Sequence, residues 1–108
     1  ERPLYRLSVA PARRPLELPG PCLIDWAGGQ RWLKTDADLA QVRGVARSLG
    51  GHATRFRAGA AHGGTPVTSG TSDVFHPLSP AVRALHERLK AAFDPHGILN
   101  PGRQYPGL

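Results

Sequence analysis

The chain has 108 residues, enough for one small domain with a single modest core but not for a cofactor cleft between domains. Its formal net charge of +6 comes mainly from arginines spread along the sequence, which permits nucleic-acid binding without favouring it. No apolar run approaches the roughly 18 residues that span a bilayer, so we expect a soluble domain. Cys22 is the only cysteine, which excludes an internal disulfide and suggests a reducing compartment and a buried thiol.

The first third of the chain predicts three strands and a proline-rich loop. Residues 4–9 alternate polar and apolar side chains with the period of a half-buried strand. Residues 11–21 contain four prolines and predict an irregular, extended loop. The apolar runs 22–26 and 30–34 flank residues 27–29, Ala-Gly-Gly. Because glycine tolerates the positive φ of a tight turn, these runs predict a β-hairpin.

A helix is predicted to follow the hairpin. Thr35 and Asp38 have the spacing of a capping box at its start. Gly50 or Gly51 supplies the left-handed residue that ends it. Gly44 lies inside this helix at a cost of about 1 kcal/mol relative to Ala, and we interpret it as a point of close approach to the sheet. The apolar residues that share one helical face, and that we expect to be buried, are Leu39, Val42, Ala46 and Leu49.

Residues 52–58 alternate again and predict a fourth strand, with Arg55 and Arg57 on one side. Two guanidinium groups in this position are able to orient the carboxylate of a substrate by bidentate hydrogen bonds. A solvated sheet face or a contact with another domain is the alternative interpretation. Residues 58–72 are rich in Gly, Ser and Thr and lack periodicity, so they predict a flexible connection.

The last predicted helix begins with Ser79 as N-cap and Pro80 at its first position. It ends at Asp94, because the residue before a proline is pushed out of the helical region. One apolar stripe recurs along it and predicts a buried face. The residues of this stripe are Val82, Leu85, Leu89 and Phe93.

The tail that follows is rich in turn-forming residues. Gly97 and Gly102 allow two chain reversals, and we expect Ile98 and Leu99 between them to return to the core. The sequence Asn-Pro-Gly at residues 100–102 places Pro second and Gly third, as a type II turn prefers. Such a turn would hold the side-chain amide of Asn100 in a fixed direction.

The order strand, loop, hairpin, helix, strand, helix predicts an α+β fold. We expect a two-layer sandwich in which a mostly antiparallel four-stranded sheet carries two helices on one face. This arrangement is ferredoxin-like, with the first helix replaced by the proline loop. No internal repeat is visible.

Two further groups of residues are candidates for chemistry. The five histidines lack the spacing of a metal motif and no carboxylate cluster accompanies them, so no metal site is predicted. They are His52, His62, His76, His86 and His96. Trp26 and Trp32 flank the predicted hairpin, where they would anchor a core or a subunit interface or, alternatively, wall a substrate pocket.

A resemblance to a known family rests on motifs that cover most of the chain. The tail and the end of the last helix, LKAAFDPHGILNPGR, resemble the closing motif of the C-terminal domain in FAD-linked oxidases of the vanillyl-alcohol oxidase type. Further segments are similar to the E subunits of bacterial glycolate oxidases: LYRLSV, LIDWAGGQRWL, GGHATRFR and FHPLSPAVRALHERLKAAFDP. The motifs of the hairpin and the fourth strand are more specific to this subunit than the closing motif, which is found across the wider family.

The resemblance implies a flavoprotein subunit that oxidises glycolate, or another short 2-hydroxy acid, to the 2-oxo acid by hydride transfer to FAD. It implies that residues 1–108 are the C-terminal substrate or cap domain, and that the FAD is held mainly by an N-terminal domain absent from this chain. We therefore expect the chain alone to be inactive and to carry no FAD. We expect it in the cytoplasm, attached to the inner membrane only through its complex.

The resemblance also assigns residues and partners. It places Asn100 near the flavin and Arg103 where it would neutralise an anionic flavin or phosphate; shaping the turn and solvation are the respective alternatives. The implied partners are the FAD domain, a catalytic flavoprotein subunit, an iron-sulfur subunit and the small 2-hydroxy acid. A non-catalytic assembly domain that docks these subunits is the rival function, and a small basic nucleic-acid binder is a third. We expect this chain to have no nucleic-acid partner.

Overall fold

The computed structural model describes residues 1–59 and 74–108. The chain divides into two compact units, Glu1–Thr68 and Ser69–Leu108. Most of the predicted Gly/Ser/Thr-rich connection, including His62, lies outside the described residues. The assignment of residues 1–108 to one domain stays a prediction.

The first unit is built on a four-stranded antiparallel sheet with the order β2-β3-β1-β4. Its elements are β1 (Leu4–Ser8), β2 (Cys22–Asp25), β3 (Gln30–Lys34), α1 (Leu39–Ser48) and β4 (His52–Arg57). The second unit contains α2 (Pro80–Phe93). The predicted α+β class, with four antiparallel strands and two helices, is confirmed. The ferredoxin-like label and a shared helical layer stay predictions.

The core of the first unit lies between one face of the sheet and α1. The alternation predicted for β1 is confirmed, because Tyr5 and Leu7 are buried while Arg6 and Ser8 are exposed. Tyr5 pairs with Leu33 of β3, so buried side chains meet across the strands. The buried apolar residues are Tyr5, Leu7, Val9, Leu33, Val42, Ala46, Leu49 and Ala53. Full burial of a large apolar side chain contributes about 1.5–3 kcal/mol, so this cluster is the main source of stability in the unit.

The start of α1 differs from its prediction. Asp38, and not Thr35, is the N-cap, and its backbone N–H donates to the side-chain oxygen of Gln41 at 3.2 Å. The Thr35 hydroxyl instead accepts from the N–H of Ala37 at 3.1 Å, a local turn that delays the helix. The predicted end is confirmed, because Gly50 follows the helix with a φ of 74°.

Gly44 does not serve the purpose predicted for it. A Cβ built at this position would meet no atom within 4 Å, so the helix does not approach the sheet there. The buried face of α1 is instead formed by Val42 and Ala46. The predicted close approach at Gly44 is therefore wrong.

The prediction of a buried Cys22 is also wrong. Cys22 begins β2, which is the edge strand of the sheet, and all four residues of that strand are exposed. An edge strand has a neighbour on one side only, and nothing among the described residues covers its side chains. Partial desolvation nevertheless raises the pKa of the Cys22 thiol, which keeps the thiol in its less reactive neutral form.

Arg31 of β3 is the largest fully buried side chain in the described residues, with 2% of its surface exposed. Its guanidinium donates to the carbonyl of Arg14 at 2.6 Å and to that of Arg13 at 2.7 Å. It also donates to the carbonyl of Gly28 at 3.2 Å. These bonds tie the proline-rich loop to the hairpin, and the carbonyl oxygens solvate the charge in place of water.

We expect Arg31→Ala to lower the free energy of unfolding by about 2–4 kcal/mol, because three carbonyls lose a charged donor and a large side chain is removed from the interior. Urea unfolding followed by circular dichroism measures the loss. Arg13→Ala is the matched control, since Arg13 contributes only its backbone oxygen and its exposed side chain is dispensable. Equal stability of Arg31→Ala and the unmodified protein would contradict the role of Arg31.

In the second unit the limits of α2 agree with the sequence. The Ser79 hydroxyl accepts from the N–H of Val82 at 3.4 Å, and Pro80 occupies the first helical position. The helix ends at Phe93, with Asp94 as C-cap. The predicted capping residues and the predicted end are confirmed.

The burial predicted for the apolar stripe of α2 is wrong. Phe93 is 82% exposed, and the other three residues of the stripe are exposed as well. Ile98 and Leu99 do not return to a core either, since they are 75% and 58% exposed. No residue of α2 is buried.

The tail covers the face of α2 next to the apolar stripe. The guanidinium of Arg83 donates to the carbonyl of Pro106 at 2.8 Å, and the ring of His86 meets that of Tyr105 edge-on at 6.2 Å. The ammonium of Lys90 donates to the carbonyl of Leu99. The tail therefore covers one strip of α2, formed by Arg83, His86 and Lys90, and leaves the apolar stripe beside it open.

Candidate functional site

The predicted turn in the tail is confirmed. The N–H of Arg103 donates to the carbonyl of Asn100 at 3.2 Å, which closes the four-residue turn. Gly102 has a φ of 69°, as the third position of a type II turn requires. Asn100 itself has a φ of 45°, a left-handed conformation that asparagine tolerates better than most residues. The amide of Asn100 is exposed at this bend.

Asp94 fixes the chain that leads into the turn. Its buried carboxylate accepts from the N–H of Ile98 at 3.0 Å and from the N–H of Leu99 at 2.9 Å. It also forms an ion pair with Lys90, one helical turn earlier. The hydrogen bond from Lys90 and those from the two backbone amides lower the pKa of Asp94. The sequence showed Asp94 only as a helix stop, although an aspartate before a turn is a common acceptor for the next amides.

We expect the bonds around Asp94 to break in acid. A lowered pKa means that the stabilisation is complete above the ordinary aspartate pKa of about 3.9 and is lost as the pH falls below it. The amide proton shifts of Ile98 and Leu99, followed by NMR between pH 7 and pH 2, should change with a midpoint below that ordinary value. Asp94→Asn should abolish this titration, whereas Asp36→Asn, which removes an exposed carboxylate of the first unit, should preserve it. A midpoint at or above the ordinary value would contradict the anchoring role.

A concavity of about 520 Å³ lies beside the turn, within the second unit. We call it the tail concavity. Asn100 and Arg103, the two residues predicted to meet a cofactor, both line it. The complete lining is Phe75, His86, Lys90, Leu99, Asn100, Arg103, Gln104, Tyr105 and Leu108. The structure therefore brings this predicted pair together on an accessible surface.

The polar groups that line the tail concavity differ in whether they already have hydrogen-bond or ion-pair partners. Lys90 is neutralised by Asp94, and the hydroxyl of Tyr105 donates to the carbonyl of His76 at 2.9 Å. The guanidinium of Arg103 makes no hydrogen bond or ion pair within residues 1–59 and 74–108. The lining includes no acidic residue. Arg103 is therefore the cation that remains available to an anionic ligand.

Arg55 and Arg57, predicted to orient a substrate carboxylate, are separated by an irregularity in the β1–β4 register. Arg55 lies opposite Tyr5, whereas Arg57 lies opposite Leu4, and these two residues of β1 point to opposite faces of the sheet. Arg57 also forms a 3.8 Å ion pair with Glu1. The register does not support a shared carboxylate clamp, and the binding role of this pair stays a prediction.

The hairpin presents an apolar surface. Trp26 is 74% exposed at its tip, with a φ of 50°, and the carboxylate of Asp25 accepts from its N–H at 2.8 Å. Leu23 and Ile24 of β2 are exposed beside it. Trp32 packs edge-on against Phe56, with ring centroids 5.0 Å apart. The predicted tryptophan pair therefore splits between an open tip and a sheet face, and we call Leu23, Ile24 and Trp26 the hairpin patch.

Metal ligands do not gather in the parts of the chain that the structure describes. No group of three or more His, Cys, Asp or Glu side chains is placed to hold an ion there. The imidazole of His86 instead lies with Nδ1 2.9 Å from the carbonyl of Val82. None of the helices in the two described ranges is long and apolar enough to span a bilayer.

Comparison with known proteins bears directly on the segment that carries the tail concavity. Residues 76–104 match the family described as FAD linked oxidases, C-terminal domain. The chain is also 44% identical over 105 residues to the glycolate oxidase subunit GlcE of Escherichia coli strain K12. The resemblance to FAD-linked oxidases is confirmed. No solved structure matches the chain.

The match to the E. coli subunit covers 97% of this chain and 27% of that protein. The chain thus spans about a quarter of the length of the curated relative. Asn100 and Arg103 both fall inside the family match, as do His86, Lys90 and Asp94. The anchor, the turn and much of the lining of the tail concavity are therefore part of the segment that resembles the FAD-linked oxidases.

Proposed function

We propose that this chain is part of a subunit of a flavin-dependent oxidase that converts a short 2-hydroxy acid, such as glycolate, into the 2-oxo acid. One observation carries the proposal: the segment that matches the FAD-linked oxidases folds into an accessible concavity that contains both predicted flavin contacts. The identity to a glycolate oxidase subunit supports the choice of substrate. We propose further that the FAD is held mainly by polypeptide outside this chain.

The donors at the tail concavity fit part of a flavin. Asn100 offers an amide that can donate or accept at the polar edge of the ring, and Arg103 offers an unneutralised guanidinium for negative charge. FAD, when bound, would accept the hydride from the substrate carbon. The open shape of the concavity suits contact with one edge of the ring and not enclosure of the whole cofactor.

The chain's own residues would act by position and charge. The turn holds the Asn100 amide at a fixed place, and Asp94 fixes the backbone that precedes the turn. The positive charge of Arg103 would stabilise negative charge that develops on the ring or is carried by the substrate. Preorganised donors of this kind contribute to catalysis because they need not reorganise during the reaction.

Substitution of Asn100 by Gly tests this proposal, because glycine keeps the left-handed backbone of the turn and removes only the amide. In a full-length, flavin-loaded subunit that contains this segment, we expect Asn100→Gly to shift the visible flavin absorbance and to lower kcat about tenfold or more, which corresponds to the loss of one hydrogen bond of about 1.4 kcal/mol or more. Absorbance spectra and stopped-flow reduction by glycolate measure the two effects.

His96→Gly is a matched control, since His96 is an exposed tail residue outside the tail concavity. An Asn100→Gly protein with unchanged FAD content, spectrum and kcat would reject the flavin contact. Failure of glycolate to reduce the bound FAD of the unmodified protein would reject the function itself.

A second function is favoured by the hairpin patch. Exposed apolar side chains along an edge strand and its hairpin tip, here Leu23, Ile24 and Trp26, are typical of a docking site for another polypeptide. We propose as the alternative that the chain serves assembly, by binding a catalytic flavoprotein subunit or an iron-sulfur subunit. In that case its surface would matter more than its chemistry. A peripheral position at the inner membrane, reached through such a complex from the cytoplasm, belongs to this alternative.

Trp26→Ser separates the two functions. If assembly is the main role, the variant should lose co-purification with the partner subunits, because the central aromatic residue of an interface often contributes 2 kcal/mol or more. Bound flavin and its spectrum should remain unchanged. Leu89→Ser, which alters an exposed apolar residue of α2, is the control. A Trp26→Ser protein that assembles normally would reject the hairpin patch as the docking site.

A further inference from the structure

We propose that the tail concavity is a binding site for small 2-hydroxy carboxylates, in which Arg103 holds the carboxylate and His86 accepts a hydrogen bond from the hydroxyl. The inference rests on the proposed function for its class of substrate and assigns the residues that recognise it. It moves the carboxylate contact from the predicted pair, Arg55 and Arg57, to the second unit.

The distribution of charge around the tail concavity favours Arg103 as the group that holds the carboxylate. Lys90 and the titratable His86 are the only other basic side chains that line the tail concavity. The charge of Lys90 is already neutralised by Asp94. The guanidinium of Arg103 is unengaged within the described residues and follows a turn closed by its own N–H. Its planar fork donates two parallel hydrogen bonds to one carboxylate.

His86 supplies a directional acceptor. The Val82 carbonyl, 2.9 Å from Nδ1, can only accept a hydrogen bond, so this contact requires the proton to be on Nδ1. In the neutral ring the other nitrogen, Nε2, then carries a lone pair. A hydroxyl group can donate to that lone pair, whereas a methyl group cannot.

The remaining lining favours this pairing. No aspartate or glutamate side chain lines the tail concavity to compete for Arg103. The Tyr105 hydroxyl is directed to the carbonyl of His76, and its ring stands edge-on to His86 at 6.2 Å, which restricts the imidazole. A ligand with a carboxylate and a neighbouring hydroxyl therefore has a partner for each group, Arg103 and His86. A carboxylate without the hydroxyl has a partner in Arg103 alone.

Binding of glycolate and acetate, which differ by the hydroxyl, tests the site directly. Each anion is titrated by NMR into the purified FAD-free protein at pH 8, where imidazoles are mostly neutral. We expect glycolate to bind about fivefold more tightly than acetate, the ratio expected for one additional neutral hydrogen bond. The ring protons of His86 should shift with glycolate more than with acetate.

Two substitutions separate the two contacts. Arg103→Ala should weaken both anions about tenfold, because the shared carboxylate contact is lost. His86→Ala should remove the preference for glycolate and leave acetate binding unchanged. Arg88→Ala is the matched control and should change neither affinity, since Arg88 is an exposed arginine of α2 outside the tail concavity. Circular dichroism confirms that each variant is folded.

Equal affinities for glycolate and acetate in the unmodified protein would overturn the inference. So would a folded Arg103→Ala variant with unchanged binding, or an Arg88→Ala variant weakened as much as Arg103→Ala. The titration needs no flavin, so its failure is distinct from failure of the proposed function. A protein whose FAD is reduced by glycolate, but which shows no preference at this site, would keep the function and lose the site.

Discussion

Three backbone carbonyls converge on the buried guanidinium of Arg31, and the architecture of the first unit depends on this arrangement. A proline-rich loop has few ways to satisfy its backbone within itself, because proline has no N–H to offer. Arg31 reaches from the second residue of β3 to both the loop and the hairpin. The loop is thereby fixed against the sheet, and Leu16 and Leu18 of the loop pack against the core. A charge that usually lies at the surface is here enclosed by the chain that it organises.

The second unit uses the same principle with the opposite charge. Asp94 gathers two backbone amides and the ammonium of Lys90, and these bonds define where the helix ends and how the tail departs. The tail then returns over the strip of α2 formed by Arg83, His86 and Lys90. Because this small unit buries little apolar surface among the described residues, its local shape depends on directional hydrogen bonds more than on a core. The turn that carries Asn100 is held by this framework.

The sequence predicted regular elements well, because their signals are local. The period-2 alternation of β1, the glycine-centred hairpin and the Ser79-Pro80 cap each follow from neighbouring residues, and all three are confirmed. The pairing of Asn100 and Arg103 in one concavity was also accessible, since a four-residue turn brings them together. These features need no knowledge of distant contacts.

Most of the wrong predictions concern what covers a side chain. The apolar stripe of α2 shows which residues are able to be buried, but periodicity does not reveal which surface would bury them. Cys22 resembles a core residue by type and is exposed because β2 is an edge strand. Arg31 and Asp94 bind backbone carbonyls and backbone amides. Nearly every residue has these groups, so they leave no pattern in the amino-acid sequence. Nothing in the sequence indicates the tautomer of His86 either, because a backbone oxygen fixes it.

The helix α2 carries the tail on one strip of its surface and leaves the apolar stripe beside that strip open. In water, such an exposed apolar stripe favours association with other apolar surfaces, including that of a second copy of this chain. The colloidal behaviour of the isolated polypeptide should therefore depend on concentration, ionic strength and temperature more than its high content of arginine would suggest.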